Sequence, residues 1–148
     1  MSHTYVSCLL HCVWSTKSRQ PLITPAIAER LYPYLAGIAK ENRFRILDSG
    51  GVADHIHSIF SLPTTIEIAK AVQLVKGGSS KWIKETFAVD FAWQEGYGAF
   101  SLSISGLEDT RKYIAGQAAH HARVSFQDEY RAFLERHGIE YDERYVWG

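Results

Sequence analysis

The chain opens with a β-branched and aromatic run, TYVSCLLHCVWS from Thr4 to Ser15, which predicts a long buried strand. Apolar residues then recur at helical spacing. Ile27, Leu31, Leu35 and Ile38 follow Thr24-Pro25, a cap and a first-turn proline, and predict a helix to about Glu41. Arg43 to Ser49 predicts a strand, Gly50-Gly51 a turn, and Val52 to Leu62 the returning strand of a hairpin. Pro63-Thr64-Thr65 marks the start of a second helix to about Glu85, with Ile68, Val72, Val75, Trp82 and Ile83 facing inward and Gly77-Gly78 interrupting it. Phe91 to Ser105 predicts one long strand or a strand pair. Helices from about Glu108 to His121 and from Ser125 to His137 come next, then an acidic, aromatic tail over residues 138–148. The order β-α-β-β-α-β plus two helices predicts an α+β, ferredoxin-like split βαβ domain. Its four-stranded antiparallel sheet carries helices on one face, with further C-terminal helices.

Composition narrows the class without naming a chemistry. With 148 residues, the chain suits one domain over 1–148, and 46% hydrophobic against 22% charged residues excludes disorder as its main state. No stretch approaches the ~20 apolar residues of a membrane span. Met1-Ser2-His3-Thr4-Tyr5 lacks the basic start of a signal peptide, so a cytoplasmic location is expected. Cys8 and Cys12 are too few for a disulfide framework and read as buried thiols. The 16 basic and 16 acidic residues cancel, yet residues 1–84 hold ten Lys/Arg against five acids, leaving six against eleven in the remainder. That split can build a basic face on a neutral protein, or be scatter over a solvated surface.

Four groups of residues could carry chemistry. His55 and His57, separated by Ile56 in a predicted strand, share one face, where they can ligate one metal ion or simply hydrogen-bond. Tyr113 and Gln117 are one helical turn apart. The Tyr113 hydroxyl could be a nucleophile or a packing group, and as a nucleophile it needs activation, because a phenol has a pKa of about 10. His120-His121 could add ligands or form a polar helix end. The run Lys76-Gly77-Gly78-Ser79-Ser80-Lys81 lacks Walker spacing, which leaves a nucleotide-binding loop unsupported. Lys76, Ser79 and Lys81, with Lys17 and Arg19 after the first strand, are instead candidate contacts to a phosphate backbone. No carboxylate stands out as a general base, since strand alternation points Asp54 away from His55.

Five segments in order, HCVWSTKSRQPL (11–22), ADHIHSIFSLP (53–63), VKGGSSKWI (75–83), WQEGYGAFSLS (93–103) and YIAGQAAHH (113–121), resemble the single-tyrosine HUH transposases of the insertion-sequence-200-like group. Ala53 stands where such proteins often have proline. The resemblance implies that His55 and His57 bind a divalent metal, Mg²⁺ or Mn²⁺, with Gln117 as third protein ligand. It implies Tyr113 as the nucleophile on a DNA phosphodiester, leaving a 5′-phosphotyrosine and a free 3′-hydroxyl. It also implies single-stranded DNA hairpins as substrate and a homodimer in which the tyrosine helix can complete the partner's site. No nucleotide cofactor or membrane is involved. Two rival readings remain. A hairpin-binding module could share the sheet without catalysis, and a zinc hydrolase could use His55, His57 and either His120 or His121.

Overall fold

The computed structural model describes residues 3–148. Strand β1 (Leu9–Ser15) is followed by helix α1 (Pro25–Glu41), a hairpin of β2 (Arg45–Val52) and β3 (His55–Ser61), helix α2 (Ile68–Phe87) and strand β4 (Gly98–Leu102). Three helices complete the chain: α3 (Leu107–Ala115), α4 (Gln117–His121) and α5 (Phe126–Arg136). The sheet runs β2-β3-β1-β4, antiparallel throughout, which is the expected split βαβ plan.

Alternation along β1 and β3 divides the interior in two. Leu10, Cys12, Trp14, Ile56 and Phe60 point to one side, where they pack with Leu31, Leu35, Val72, Val75 and Ile83 of α1 and α2. Val13 and Phe100 point to the other, under Phe126, Tyr130, Phe133 and Leu134 of α5. Helices therefore cover both faces, and the histidine face is closed rather than open. Thr24 caps α1 as expected, accepting from the Ile27 amide at 3.3 Å, and Ser125 caps α5 through the Asp128 amide at 3.1 Å.

Several boundaries differ from expectation, each for a local reason. The hairpin turns at Ala53-Asp54, while Gly50 and Gly51 lie inside β2 opposite His57 and Ile56. A Cβ on Gly50 would sit 2.8 Å from Ile114 Cγ2, so this glycine lets α3 close onto the sheet rather than turn the chain. Gly77-Gly78 does not interrupt α2. A Cβ on Gly78 would come within 3.0 Å of Ile38 Cδ1, which identifies it as a close-approach point between α1 and α2. That helix also begins at Ile68, without a side-chain cap, instead of at the Pro63-Thr64-Thr65 signal. Only Gly98–Leu102 of the segment 91–105 is strand. The loop before it is held by the Lys76 ammonium, which donates to the carbonyls of Gln94, Glu95 and Gly96 at 2.6, 3.0 and 2.8 Å. The helix expected over 108–121 breaks at Gly116 into α3 and α4. The first strand starts at Leu9, and Cys8 is half-buried while Cys12 is fully buried. Among the described residues, no helix is long and apolar enough to cross a membrane.

Candidate active site

The closed face of the sheet holds a polar cluster whose parts come from four elements. In β3, His55 and His57 stand beside Ser15 and Val13 of β1, and both imidazoles are fully buried. Tyr113 comes from α3, while Gln117, His120 and His121 come from α4. The break at Gly116 changes the chain direction between them. From α5 comes Glu129, 3% exposed, and it is the centre of the cluster. Its Oε1 lies 2.9 Å from His57 Nε2, 3.3 Å from His55 Nε2 and 3.1 Å from His121 Nε2. Its Oε2 accepts the Tyr113 hydroxyl, and lies 3.1 Å from His120 Nε2 and 3.4 Å from the Gln117 amide nitrogen. The Gln117 carbonyl oxygen turns to His55 Nε2 at 3.1 Å.

The far sides of the His55 and His57 imidazoles are also engaged. His55 Nδ1 meets Asp54 Oδ1 at 2.7 Å, and His57 Nδ1 meets His11 Nε2 at 2.8 Å. The Asp54 contact corrects the expectation from alternation: in the hairpin turn its side chain is free to fold back onto His55. Phe126 and Phe133 wall the cluster, with ring centroids 4.6 Å from His55 and 5.0 Å from His11. A cavity of about 490 Å³ opens beside it, reached by Tyr113, His120, Glu129 and Arg136.

Burial and partners set the charges. Burial opposes the ionised form of Glu129, but hydrogen bonds from His55 and His57 overcome it and hold the carboxyl well below its usual range. Burial also opposes protonation of His55. Here the hydrogen bonds to Asp54 and Glu129 prevail and raise it to about 9. His57 is pushed down by burial, and His11 falls to about 3 for the same reason. Burial, reinforced by the Glu129 anion, pushes the Tyr113 phenol above its ordinary range, so it keeps its proton at rest.

This donor set fits a divalent cation. One ring nitrogen each of His55, His57 and His121 and a Glu129 oxygen all lie within 4.8 Å of one another, and the Gln117 carbonyl faces the same space. Imidazole with carboxylate oxygen suits Mn²⁺ and related ions, and a buried anion here favours positive charge.

The cluster brings together His55, His57, Tyr113 and Gln117. It does not include the lysine run. Lys76 and Lys81 belong to α2, on the opposite side of the sheet, where Ser79 is fully buried, donating to the Val75 carbonyl at 2.6 Å and accepting from Trp93 Nε1 at 3.0 Å. Ser79 is thus turned into the core, and Lys76 donates to the 94–96 loop, unlike the solvent-facing placement expected of them. Lys81 is exposed, and Lys17 with Arg19 forms the turn just after Ser15, the neighbour of His55. Glu129 is the residue sequence reasoning missed. Its signal was there: positions 126, 129, 130, 133 and 134 form one buried helical stripe, and an acid on such a stripe needs partners.

The family described as "Transposase IS200 like" matches residues 4–117, most of the chain. The chain belongs to that family. The ISDra2 transposase TnpA of Deinococcus radiodurans is 25% identical over 114 residues, 72% of this chain and 81% of the relative. The IS200 insertion-sequence transposase of Salmonella typhimurium is 26% identical over 87 residues, 59% of this chain and 57% of that protein. Among solved structures, a transposase candidate from Deinococcus radiodurans superimposes with a TM-score of 0.63 at 22% identity, over 79% of this chain and 96% of that one. A REP-associated tyrosine transposase bound to a REP hairpin gives 0.61 at 13% identity, over 100% and 95%. These superpositions establish the shared fold of the IS200-like transposases. Helix α5 and Glu129 lie beyond the segment that matches the family.

Proposed function

We propose that this IS200-like transposase cleaves and rejoins single-stranded DNA through a covalent bond to Tyr113. One observation carries the reading: the Tyr113 hydroxyl and the Nε2 atoms of His55 and His57 converge on the two oxygens of a single carboxylate, Glu129. The phenolic oxygen attacks the scissile phosphorus, the bond from phosphorus to the upstream 3′-oxygen breaks, and that oxygen becomes a free 3′-hydroxyl by taking up, through water, the proton that Tyr113 gives up. The 5′-phosphate stays on Tyr113. Glu129 accepts the Tyr113 hydroxyl, so it orients the phenol and stands where the proton leaves as the new bond forms. His55 and His57, with Gln117, would hold a divalent cation, Mg²⁺ or Mn²⁺, which would supply positive charge to polarise the phosphate. Because the phosphotyrosine conserves the phosphodiester linkage, a second 3′-hydroxyl can reverse the step without a nucleotide cofactor.

The substrate in this reading is a hairpin at each element end, the kind of ligand bound by the REP-associated neighbour. Joining two ends takes two tyrosines, and the chain has one at the site, which favours a homodimer. Lys17 and Arg19, in the turn that follows Ser15, serve as backbone contacts in this reading, with Lys81 on the far layer.

The test uses end-labelled hairpin DNA, Mn²⁺ and a denaturing gel. The wild-type chain forms a covalent adduct, whereas Tyr113→Phe forms none and still binds the hairpin. Binding without any adduct from the wild type favours the recognition module instead. Nicking that survives Tyr113→Phe favours the hydrolase reading, which His121 supports by completing a three-histidine set with His55 and His57.

A further inference from the structure

The inner strand β1 contributes a residue that the proposed reaction does not use. His11 is 5% exposed, and its Nε2 lies 2.8 Å from Nδ1 of His57, with the two rings 4.9 Å apart and tilted by 37°. It is fixed by register, since His11 sits opposite Ile59, two residues along β3 from His57 on the same face. Phe133 packs edge-on against its ring at 5.0 Å, which holds the imidazole in place.

Proton bookkeeping gives this contact a consequence. Only one hydrogen fits between two ring nitrogens. With His57 Nε2 donating to the Glu129 carboxylate at 2.9 Å, a neutral His57 must accept at Nδ1 from His11 Nε2–H. When Nε2 of His57 instead offers its lone pair to a cation, the ring carries its proton on Nδ1, and His11 Nε2 becomes the acceptor. The two rings then exchange tautomers together, and the proton of His11 moves to its Nδ1, on the ring's other side. His55 has a different arrangement, since its Nδ1 meets the carboxylate of Asp54.

We infer that His11 is the positioning residue of the metal centre, holding His57 in the tautomer whose Nε2 faces the cation. The inference rests on the reading of His55 and His57 as metal ligands. A partner behind a ligating imidazole fixes the ring's orientation and tautomer, and its loss typically weakens metal binding about 10- to 100-fold.

The experiment is Mn²⁺ binding to the full chain by calorimetry, with His11→Phe, His11→Gln and His57→Ala, together with ring ¹⁵N spectra of the wild type with and without Mg²⁺. His11→Phe keeps the bulk and loses the acceptor, so binding weakens about 10- to 100-fold. Gln carries an acceptor oxygen near the position of Nε2, so His11→Gln recovers most of that loss. In the Mg²⁺-loaded wild type, the spectra place the His57 proton on Nδ1. Equal affinity of His11→Phe and wild type overturns the inference, as does equal weakening in the Phe and Gln variants, which marks packing alone. If His11→Phe fails to fold, a wild-type His57 without a proton on Nδ1 in Mg²⁺ overturns it as well. If His57→Ala binds Mn²⁺ as tightly as wild type, the metal-ligand reading itself fails, and the inference falls with it.

Discussion

The two faces of the sheet are built from the same strands and differ almost completely in chemistry. On the α1–α2 side, β1 and β3 present Cys12, Trp14, Ile56 and Phe60, and the contacts are aromatic and aliphatic, such as Trp14 edge-on to Phe60 at 6.3 Å. On the α3–α5 side, one residue along, the same strands present His11, His55 and His57, whose nitrogens meet Asp54, Glu129, Gln117 and one another. One face therefore supplies stability through burial. The other holds charged groups inside the protein by pairing each with a partner, which is tolerable only while every partner is present.

If that division is real, the faces separate under mutation. Phe60→Ala on the dry side lowers unfolding free energy by about 3–5 kcal/mol in urea denaturation, because it removes a fully buried ring. Mn²⁺ affinity of the folded fraction stays within twofold. A parallel loss of metal affinity would break the comparison, since it would mean that the site depends on packing across the sheet.

The site face gives its own signature against pH. His55 is raised from about 6.5 to about 9 in the folded chain, so its stabilising contribution is complete below pH 6.5 and disappears as pH rises through 9. That contribution is at most about 3 kcal/mol. Lys76, across the sheet, runs the other way: burial lowers it to about 8, so its neutralisation favours the fold as pH rises. The difference between wild type and His55→Gln, measured with chelator in urea at pH 6 and pH 9.5, isolates the histidine. It should shrink towards zero at the higher pH, and a constant difference would remove the ion pairing from the account.

The smallest effect sharpens the dry face. Ala at position 77 meets nothing within 4 Å, so Gly77→Ala stabilises α2 by about 0.5–1 kcal/mol. Gly78→Ala has the same backbone gain but brings a Cβ to 3.0 Å from Ile38 Cδ1, so thermal unfolding should show a smaller gain or none. Equal gains at both positions would mean that α1 and α2 are less tightly apposed than they stand here.

Much of this was legible along the chain. The β-branched and aromatic run of β1, the spacing of Ile27, Leu31 and Leu35, and His55 with His57 on one strand face all predict what forms, because each depends on neighbours a few residues away. Tyr113 and Gln117 were legible as a pair for the same reason, although Gly116 places them on separate short helices. Glycines misled, since Gly50, Gly51 and Gly78 resemble breaks but answer to close atoms of Ile114, His55 and Ile38, while Gly77 simply continues the helix. Lys76 and Ser79 misled similarly. A lysine and a serine beside glycines look solvent-facing until the 94–96 carbonyls and Trp93 are brought against them.

Local sequence determined the elements, their alternation, and which side of β3 holds two imidazoles. Long-range packing decided that this side is covered, that Glu129 from a helix 72 residues beyond His57 enters between the histidines, and that His11 backs one of them. The reason is one of range: periodicity records which face a residue occupies, whereas the partner that makes a buried charge tolerable is chosen by where a remote segment docks.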